Sequence, residues 1–444
     1  MIIFAKNSFS RTCMNALVVL TILLSAFGNA LAQSISSLDI DRGNSMLRAI
    51  KSDVEQNYYD PKFRGLDIEA LFKQAKDRVN KAESNGQIFG IIALTLIEFN
   101  DSHLIFLPPQ RAARIEYGWT AQMIGDKCFV VAVKPGSDAD RRGLKEGDLV
   151  HFINDMKPSR NEFWKIRYLL NVLRPEPSLR VVVQSAGKEP RELKIEAKIE
   201  QTKKVTNLTD YEEVGRLEIQ EQRDARLWRH RYIEMDDVFI WKMPQFDLTK
   251  AGVDDMVGKF RKRKALILDL RGNSGGYEET QLRLLGSFFE NDVNVGDLIT
   301  RKQTKPLIAK SIGNDAFKGQ VIVLIDSDSA SSSELLARVI QLEKRGTVIG
   351  DRSAGAVMQA RHYSHTVGVE TVTFYGVSVT SGDLTMTDGG RLEGAGVTPD
   401  EFVIPGQSDF AAGRDPVMAR ALALAGVNMS PDKARTLFPV EWKK

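Results

Sequence analysis

The chain has 444 residues, of which 43% are hydrophobic, so it is long enough for about two to four globular domains with buried cores. Its 61 basic and 58 acidic residues give a formal charge of +3 at pH 7. This near balance argues against a nucleic-acid-binding protein and against recruitment to anionic membranes by charge alone.

The first 32 residues have the three parts of a secretory signal peptide. Lys6 and Arg11 give a positively charged start, residues 16–27 are apolar, and small residues occupy positions 30–32. We expect cleavage after Ala32 and export to the periplasm or the medium. An uncleaved membrane anchor is the alternative, although the apolar core is shorter than the ~20 residues that span a bilayer.

Cleavage at this point would change the charge and the cysteine content of the mature chain. The net charge would be +1, and Cys128 would be the one remaining cysteine because Cys13 is removed. An intramolecular disulfide is then impossible, so the mature protein would tolerate an oxidising compartment without forming an internal disulfide there.

Apolar residues recur at helical spacing from about residue 36 to residue 99, with a break at Asp60-Pro61. The pattern predicts three helices, and we assign residues 33–112 to an N-terminal helical subdomain. The third helix leads into the polar segment Asn100-Asp101-Ser102-His103. A histidine at a helix end is usually structural, so this pattern alone gives His103 no chemical role.

Residues 113–200 are predicted to form short strands and turns. The segment 129–150 has a strand, a Pro-Gly-Ser turn, a short helix, then Gly-Leu and Gly-Asp pairs. This order resembles a PDZ domain, a fold that binds extended peptides at a sheet edge. The peptide-binding loop would lie at Tyr117, Gly118 and Trp119, although it lacks that loop's usual glycine-hydrophobic-glycine form. Peptide capture is one interpretation, and a rigid spacer is the other.

The charged stretch from Lys198 to Arg231 has no clear apolar stripe, so we expect a linker or surface hairpin over residues 201–235. Residues 236–444 alternate between predicted strands and helices, which is typical of a parallel sheet. The predicted strands are 238–241, 265–270 and 321–325, and the predicted helices are 254–261, 279–289 and one that begins within 329–333. A hairpin over 367–379, a closing strand over 402–404 and a terminal helix over 415–425 complete the domain.

Two turns of this domain suggest chemistry, the glycine-rich segment 271–276 and the serine-rich segment 329–333. Both follow strands, and the carboxyl ends of parallel strands share one edge of a sheet, so we expect the turns to meet. A serine at a helix start faces unpaired N–H groups, which stabilise an oxyanion. An ordinary N-cap is the alternative interpretation. A phosphate-binding P-loop is set aside because no lysine follows the glycines.

Four motifs, together with the PDZ-like segment ahead of them, resemble the C-terminal processing (tail-specific) serine protease family. They are residues 268–276, 329–334, 350–355 and 396–400. The resemblance implies a mixed α/β multidomain fold whose catalytic domain is an α/β sandwich of crotonase-like ββα units. It implies Ser331 as the nucleophile and Glu334 as its support. The oxyanion hole would use N–H groups of Gly275 or Gly276 and of Ser332. Ser332 and Ser333 flank Ser331 and stay open as nucleophiles.

One position departs from this family, because Ala356 stands where the tail-specific branch has its lysine base. A serine hydroxyl needs a base within hydrogen-bond reach. The sequence is also similar to the tricorn core protease branch, whose base is a histidine in a Ser-His pair ahead of the PDZ domain. That similarity implies His103 as base, with Ser102 and Glu393 orienting it. His362 and His365 are less favoured bases, and Arg352 stays protonated.

The expected function is an exported serine peptidase that acts on proteins or peptides through an acyl-enzyme, with the PDZ-like domain capturing peptide or gating the site. The alternative is a non-catalytic binding protein, since the retinal interphotoreceptor retinoid-binding protein shares this fold and binds apolar ligands. No metal cluster or dinucleotide fingerprint in the sequence suggests a cofactor. Nucleic acid is not an expected partner, and the oligomeric state is open.

Overall fold

The computed structural model describes residues 35–109, 113–201, 229–368 and 372–442. The predicted signal peptide, residues 1–32, and most of the predicted linker, residues 201–235, lie outside the described residues. Within the described ranges, we find no helix with both the length and the apolar character needed to cross a membrane.

The N-terminal segment contains the three helices that the apolar spacing predicts: α1 (Ser37–Asn57), α2 (Ile68–Val79) and α3 (Asn85–Ile97). Each begins at a polar N-cap whose side chain accepts a hydrogen bond from the backbone three residues later. These caps are Ser36, Asp67 and Ser84. The apolar faces of the three helices pack together and against Val377 and Val379, which belong to the C-terminal part of the chain.

Strand β1 (Ile105–Leu107) follows the Ser102-His103 turn. It pairs antiparallel with strand β17 (Thr373–Met386), with Ile105 opposite Ser378. The N-terminal segment therefore contributes a strand to a sheet of the C-terminal domain. This pairing holds the Ser-His turn against residues that lie more than 250 positions later in the sequence.

The middle unit is a five-stranded antiparallel sheet in the order β3-β4-β5-β6-β7, with two short helices and its own apolar core. Its elements are β2 (Ala113–Glu116), β3 (Trp119–Ile124), β4 (Lys127–Val133), α4 (Asp138–Arg141), β5 (Leu149–Ile153), α5 (Phe163–Tyr168), β6 (Ser178–Gln184), β7 (Arg191–Glu196) and β8 (Lys198–Gln201). Strand β8 pairs with β2, so the charged stretch that starts at Lys198 begins as a strand. The PDZ-like assignment of this unit rests on the order of its sequence motifs and stays a prediction.

The C-terminal domain is built on a six-stranded sheet in the order β18-β15-β14-β11-β10-β9, parallel except for the edge strand β9. Alternate residues of its strands enter two separate cores. Helices α6 to α8 cover one face, and α10 and α11 cover the other. Both faces are thus buried, as the continuous apolar runs in the sequence predict.

The elements of this domain are β9 (Arg231–Met235), β10 (Val238–Lys242), α6 (Lys250–Phe260), β11 (Ala265–Asp269), α7 (Glu278–Gly286), β12 (Val293–Thr300), β13 (Thr304–Ala309), β14 (Gln320–Ile325), α8 (Ser332–Leu342), β15 (Gly346–Gly350), β16 (Met358–Val367), β17, β18 (Glu401–Phe402), α9 (Gln407–Ala411), α10 (Pro416–Leu424) and α11 (Pro431–Arg435). Strands β1, β12, β13, β16 and β17 form a second, antiparallel sheet. The mixed helix-and-sheet fold is confirmed. The predicted hairpin corresponds to β16 and β17, which are longer than expected.

Candidate active site

Ser331 lies in the turn between β14 and α8 and immediately precedes the helix. Its φ of 55° and ψ of −119° are unusual for a residue with a side chain, and such strain persists only where neighbours hold the backbone. The Ser331 N–H donates to Ala356 O at 2.9 Å and to Glu334 Oε2 at 3.0 Å. Strand, sharp turn and helix thus present the Ser331 side chain at the carboxyl edge of the sheet.

The neighbouring serines use their hydroxyls in internal hydrogen bonds. Ser329 Oγ donates to Leu270 O and Ser333 Oγ to Asn273 O, both at 2.9 Å, and both side chains are fully buried. Ser332 Oγ is also buried and donates to Gly276 O at 3.3 Å. Of these four serines, Ser331 alone is partly exposed.

Glu334 is fully buried in the first turn of α8 and accepts four hydrogen bonds. Oε2 accepts from the N–H groups of Ser331 and Ala356, at 3.0 and 2.9 Å. Oε1 accepts from Ser353 Oγ at 2.6 Å and from the Gly355 N–H at 2.8 Å. This carboxyl group joins the serine turn to the segment 353–356. Burial raises its pKa to about 7, against the opposing effect of the four donors.

The glycine-rich turn after β11 lies against the serine turn. A Cβ added to Gly275 would lie 2.7 Å from Ser331 Cβ, so a side chain at this position has no room. The Gly275 N–H already donates to Asn273 Oδ1 at 2.8 Å. Among the described residues, no acceptor is found for the N–H groups of Gly276 and Ser332. These two groups are available to an external oxygen atom.

A buried ionic cluster anchors the start of this turn. The Arg271 side chain makes two hydrogen bonds to Asp269 and two to Asp415, the N-cap of α10. Lys242 donates to Arg271 O at 2.6 Å and lies 3.2 Å from Asp269. These charges pair within the protein and fix the glycine-rich turn relative to both faces of the sheet.

The second half of the candidate site is the Ser102-His103 turn between α3 and β1. Ser102 Oγ lies 2.7 Å from His103 Nδ1 and donates to Glu393 Oε2 at 2.8 Å. The Ser102 N–H donates to Glu393 Oε1 at 3.0 Å. Glu393 lies in the turn after β17 and also accepts from the Val357 N–H at 2.8 Å. The structure therefore brings together Ser102, His103 and Glu393.

Burial governs the titration of both ionisable groups in this chain of hydrogen bonds. It lowers the pKa of His103, an effect that nearby Asp101 opposes and nearby His362 reinforces. It raises the pKa of Glu393, against the hydrogen bonds from Ser102 and Val357. A neutral imidazole is favoured at neutral pH, and this is the form that accepts a proton.

Residues 355–357 connect the two halves. Ala356 bonds to Ser331 and Glu334 through its backbone, and the next residue, Val357, bonds to Glu393. No hydrogen bond joins Ser331 Oγ to the His103 ring in the described part of the chain. A cleft of about 690 Å³ lies at this junction. Its lining includes Ser102, Glu393, Ala330, Gly355 and Trp164.

Among the described residues, none of the other candidate bases forms a hydrogen bond with Ser331, although His362 lies near His103. His365 Nε2 pairs with Asp53 Oδ2 at 2.5 Å, and its ring stacks on Tyr375, facing the helical subdomain. His362 is an exposed residue of β16, and Arg352 follows β15. Ala356 has only a methyl group, so it supplies no proton acceptor.

The predicted peptide-binding residues do not line this cleft. The Tyr117 hydroxyl exchanges hydrogen bonds with the backbone of Glu176, and Gly118 O accepts from the Lys134 N–H. Trp119 begins β3. The three residues are thus held at the start of the middle unit's sheet.

The middle unit does contact the serine turn through other residues. Arg167 makes a two-pronged ion pair with Asp328, at 2.8 and 3.0 Å. Ser327 Oγ donates to Met123 O at 2.6 Å, and Gln122 donates to Asp326 at 2.7 Å. Sequence reasoning missed these contacts, because nothing in the sequence relates an arginine of α5 to a turn 161 positions later. It likewise missed Asn273 and Ser353, which orient the glycine-rich turn and Glu334.

Comparisons with known proteins show that parts of this chain are similar to proteases. The sequence profile described as peptidase family S41 matches residues 237–403. The tail-specific protease of Haemophilus influenzae is 24% identical over 323 residues, covering 68% of this chain and 43% of that protein. The carboxy-terminal-processing protease of Bartonella bacilliformis is 29% identical over 168 residues, covering 36% of each chain. This chain thus spans less than half the length of these two curated relatives.

The fold is also shared with a solved structure. The crystal structure of mature CPAF aligns with a TM-score of 0.61 at 14% identity, covering 84% of this chain and 94% of that chain. The motifs at residues 268–276 and 329–334 form the two turns described above, and both lie within the matched profile. Residues 237–403 are therefore similar to peptidase family S41.

Proposed function

We propose that this protein is an exported serine peptidase that hydrolyses peptide bonds of proteins or peptides, with Ser331 as nucleophile and His103 as general base. The match of residues 237–403 to peptidase family S41 supports the reaction class. The strained, partly exposed Ser331 and the two free N–H groups beside it support the nucleophile.

The observation that carries the proposal is the hydrogen-bond chain from Glu393 through Ser102 to His103. The Ser102 hydroxyl donates its one hydrogen bond to Glu393 Oε2, so in the proposed tautomer its oxygen accepts from His103 Nδ1–H. His103 Nε2 then keeps a lone pair for the proton of the nucleophile. This arrangement supports the histidine-based branch of the family and accounts for alanine at position 356.

In the proposed reaction, Ser331 Oγ attacks the peptide carbonyl carbon while its proton passes to His103 Nε2. The N–H groups of Gly276 and Ser332 hold the resulting oxyanion. His103 returns the proton to the leaving amine as the C–N bond breaks, which leaves an ester on Ser331. A water molecule deprotonated by His103 then hydrolyses this ester. The proposed reaction requires that Ser331 Oγ comes within hydrogen-bond reach of His103 Nε2 when substrate is bound.

Fluorophosphonate labelling tests the nucleophile. We expect the wild-type protein to be labelled, Ser331→Ala to lose the label with its fold intact, and Ser333→Ala to keep it. His103→Ala should slow labelling by roughly 100-fold or more, the contribution of a general base. An unlabelled wild-type protein would instead favour the non-catalytic binding protein, and full labelling of His103→Ala would reject the base.

We also propose that residues 1–32 direct export and are removed. The support is the sequence pattern of a charged start, an apolar core and small residues before Gln33. N-terminal sequencing of the protein recovered outside the cytoplasm should begin at Gln33. A chain that retains Met1 at the membrane would indicate an anchor.

The middle unit is proposed to act as a PDZ-like peptide-capture or gating domain. Its contacts with residues 326–328 support this role, because these residues precede Ser331 in the same turn. A change in the position of α5 would reach the nucleophile through the Arg167–Asp328 pair.

A further inference from the structure

Asp101 is almost fully buried beside the Ser102-His103 turn, with 4% of its surface exposed. Its Oδ1 accepts from the N–H groups of His103 and Leu104, at 2.9 and 3.2 Å, and from Thr380 Oγ1 at 2.6 Å. Its Oδ2 accepts from the Tyr58 hydroxyl at 2.9 Å. Four donors converge on one carboxylate, which suits its ionised form.

These donors come from three parts of the molecule. Tyr58 is the C-cap of α1, Thr380 belongs to β17, and the two N–H groups belong to the Ser-His turn itself. The Asp101 side chain therefore fixes the backbone of His103 relative to both the helical subdomain and the shared sheet.

We propose that Asp101 is a positioning residue for His103, one that fixes the His103 backbone and supplies a buried negative charge to stabilise the imidazolium formed during acyl transfer. This inference rests on the proposed function. The Nδ1 atom of His103 faces a neutral hydroxyl, and among the described residues no carboxylate is hydrogen-bonded to the ring. Asp101 instead accepts hydrogen bonds from the N–H groups of His103 and Leu104, so its charge lies beside the backbone of this turn.

Other charged or titratable groups also lie around the same turn. They are His362 of β16, Asp383 of β17, Glu393, Arg64, Tyr58 and Tyr59. Burial lowers the pKa of His103, Asp101 opposes that fall, and His362 adds to it. Replacing Asp101 by a neutral residue of the same shape should therefore lower the pKa of His103 further.

The test compares Asp101→Asn with Asp101→Ala in the full mature chain, using a peptide substrate that the wild-type protein cleaves. Asparagine keeps Oδ1 for the three donors on that side, and its amide group donates to the Tyr58 hydroxyl. Asp101→Asn should shift the acidic limb of the kcat/KM profile to lower pH by about one unit and lower kcat roughly tenfold, with KM unchanged. Asp101→Ala should lose roughly 100-fold in kcat because the turn also loses its position.

Tyr58→Phe is the matched control, because it removes one hydrogen bond from the same carboxylate and leaves its charge. Its acidic limb should stay at the wild-type pH. Suppose that Asp101→Asn keeps the wild-type kcat and the wild-type acidic limb of the kcat/KM profile while Ser331-dependent hydrolysis is intact. The inference is then wrong and the proposed function stands. If the wild-type protein shows no Ser331-dependent hydrolysis, the proposed function fails and the inference fails with it.

Discussion

Ser331 holds a backbone conformation that costs about 1–3 kcal/mol for a residue with a side chain. Glu334 offsets this cost, because one of its oxygens accepts a hydrogen bond from the Ser331 N–H. Its other oxygen accepts a hydrogen bond from the Gly355 N–H. The carboxyl group is fully buried, so its ionisation affects the stability of the whole domain.

Stability should therefore depend on the protonation of Glu334. Burial raises its pKa from 4.5 to about 7, so the folded protein holds this proton more tightly than the unfolded chain. The stabilisation is complete below pH 4.5 and is lost as the pH rises through 7. Between these limits the free energy of unfolding should fall by about 3 kcal/mol.

Denaturant unfolding of the wild-type protein and of Glu334→Gln at pH 5 and pH 8 measures this effect. The glutamine variant lacks the titrating group, so its free energy of unfolding should change less between the two pH values. Equal pH dependence in the two proteins would assign the effect to other groups.

The pH dependence of catalysis should report His103. Burial lowers the pKa of its imidazole below the ordinary 6.5, so the neutral, proton-accepting form persists into mildly acidic solution. The value of kcat/KM should stay level down to pH 6.5 and fall only below it. An acidic limb above pH 6.5 would be inconsistent with His103 as the base.

Among the elements, the turn after β11 tolerates a side chain at one glycine and not at another. Gly275 has φ +101°, and an added Cβ would collide with Ser331 Cβ at 2.7 Å. Gly272 has φ +73°, but nothing lies within 4 Å of its added Cβ. Substitutions at these two glycines therefore distinguish the effect of backbone strain from the effect of contact with Ser331.

Gly275→Ala should lower fluorophosphonate labelling at least about 100-fold, since a displacement of about 1 Å at Ser331 is enough for such a loss. Gly272→Ala should retain labelling and lose only about 1–2 kcal/mol of stability from strain. Labelling rates together with thermal unfolding distinguish the two effects. Normal labelling of Gly275→Ala would show that the turns are farther apart than described.

The sequence predicted the elements that carry strong local patterns. Strand, serine turn and helix at 320–342 follow from an apolar run, small hydroxyl residues and helical spacing. Strands β12 and β13 gave no such signal, because their burial alternates only in part. In addition, β12 pairs with β17, more than 80 positions away. Strand β1 has only three residues and is defined by its partner. The role proposed for Asp101 depends on donors that are distant in the sequence, so no local pattern indicates it.

At the scale of the whole molecule, the middle unit reaches the serine turn through ionic and polar contacts rather than through a continuous apolar core. Polar interfaces between units of one chain allow relative motion more readily than apolar ones. The contact with Asp328 is therefore suited to transmit a change in the middle unit to Ser331.

Arg167→Met should change kcat/KM by several-fold, because it breaks a two-pronged pair while keeping most of the side-chain length. Arg180→Met is the matched control. Arg180 pairs with Asp155 and Glu192 of the same unit, both exposed and with no contact to the serine turn. Peptide hydrolysis at low and high salt measures the difference. Identical effects of the two variants would argue against gating through this contact.

The pairing of β1 with β17 also bears on when the protein becomes active during its synthesis. His103 is synthesised before Ser331, and Glu393 is synthesised last of the three. A nascent polypeptide that ends before Glu393 lacks the carboxylate that accepts from Ser102 Oγ. Under the proposed mechanism, hydrolysis therefore begins only after residue 393 has been translated and β17 has paired with β1.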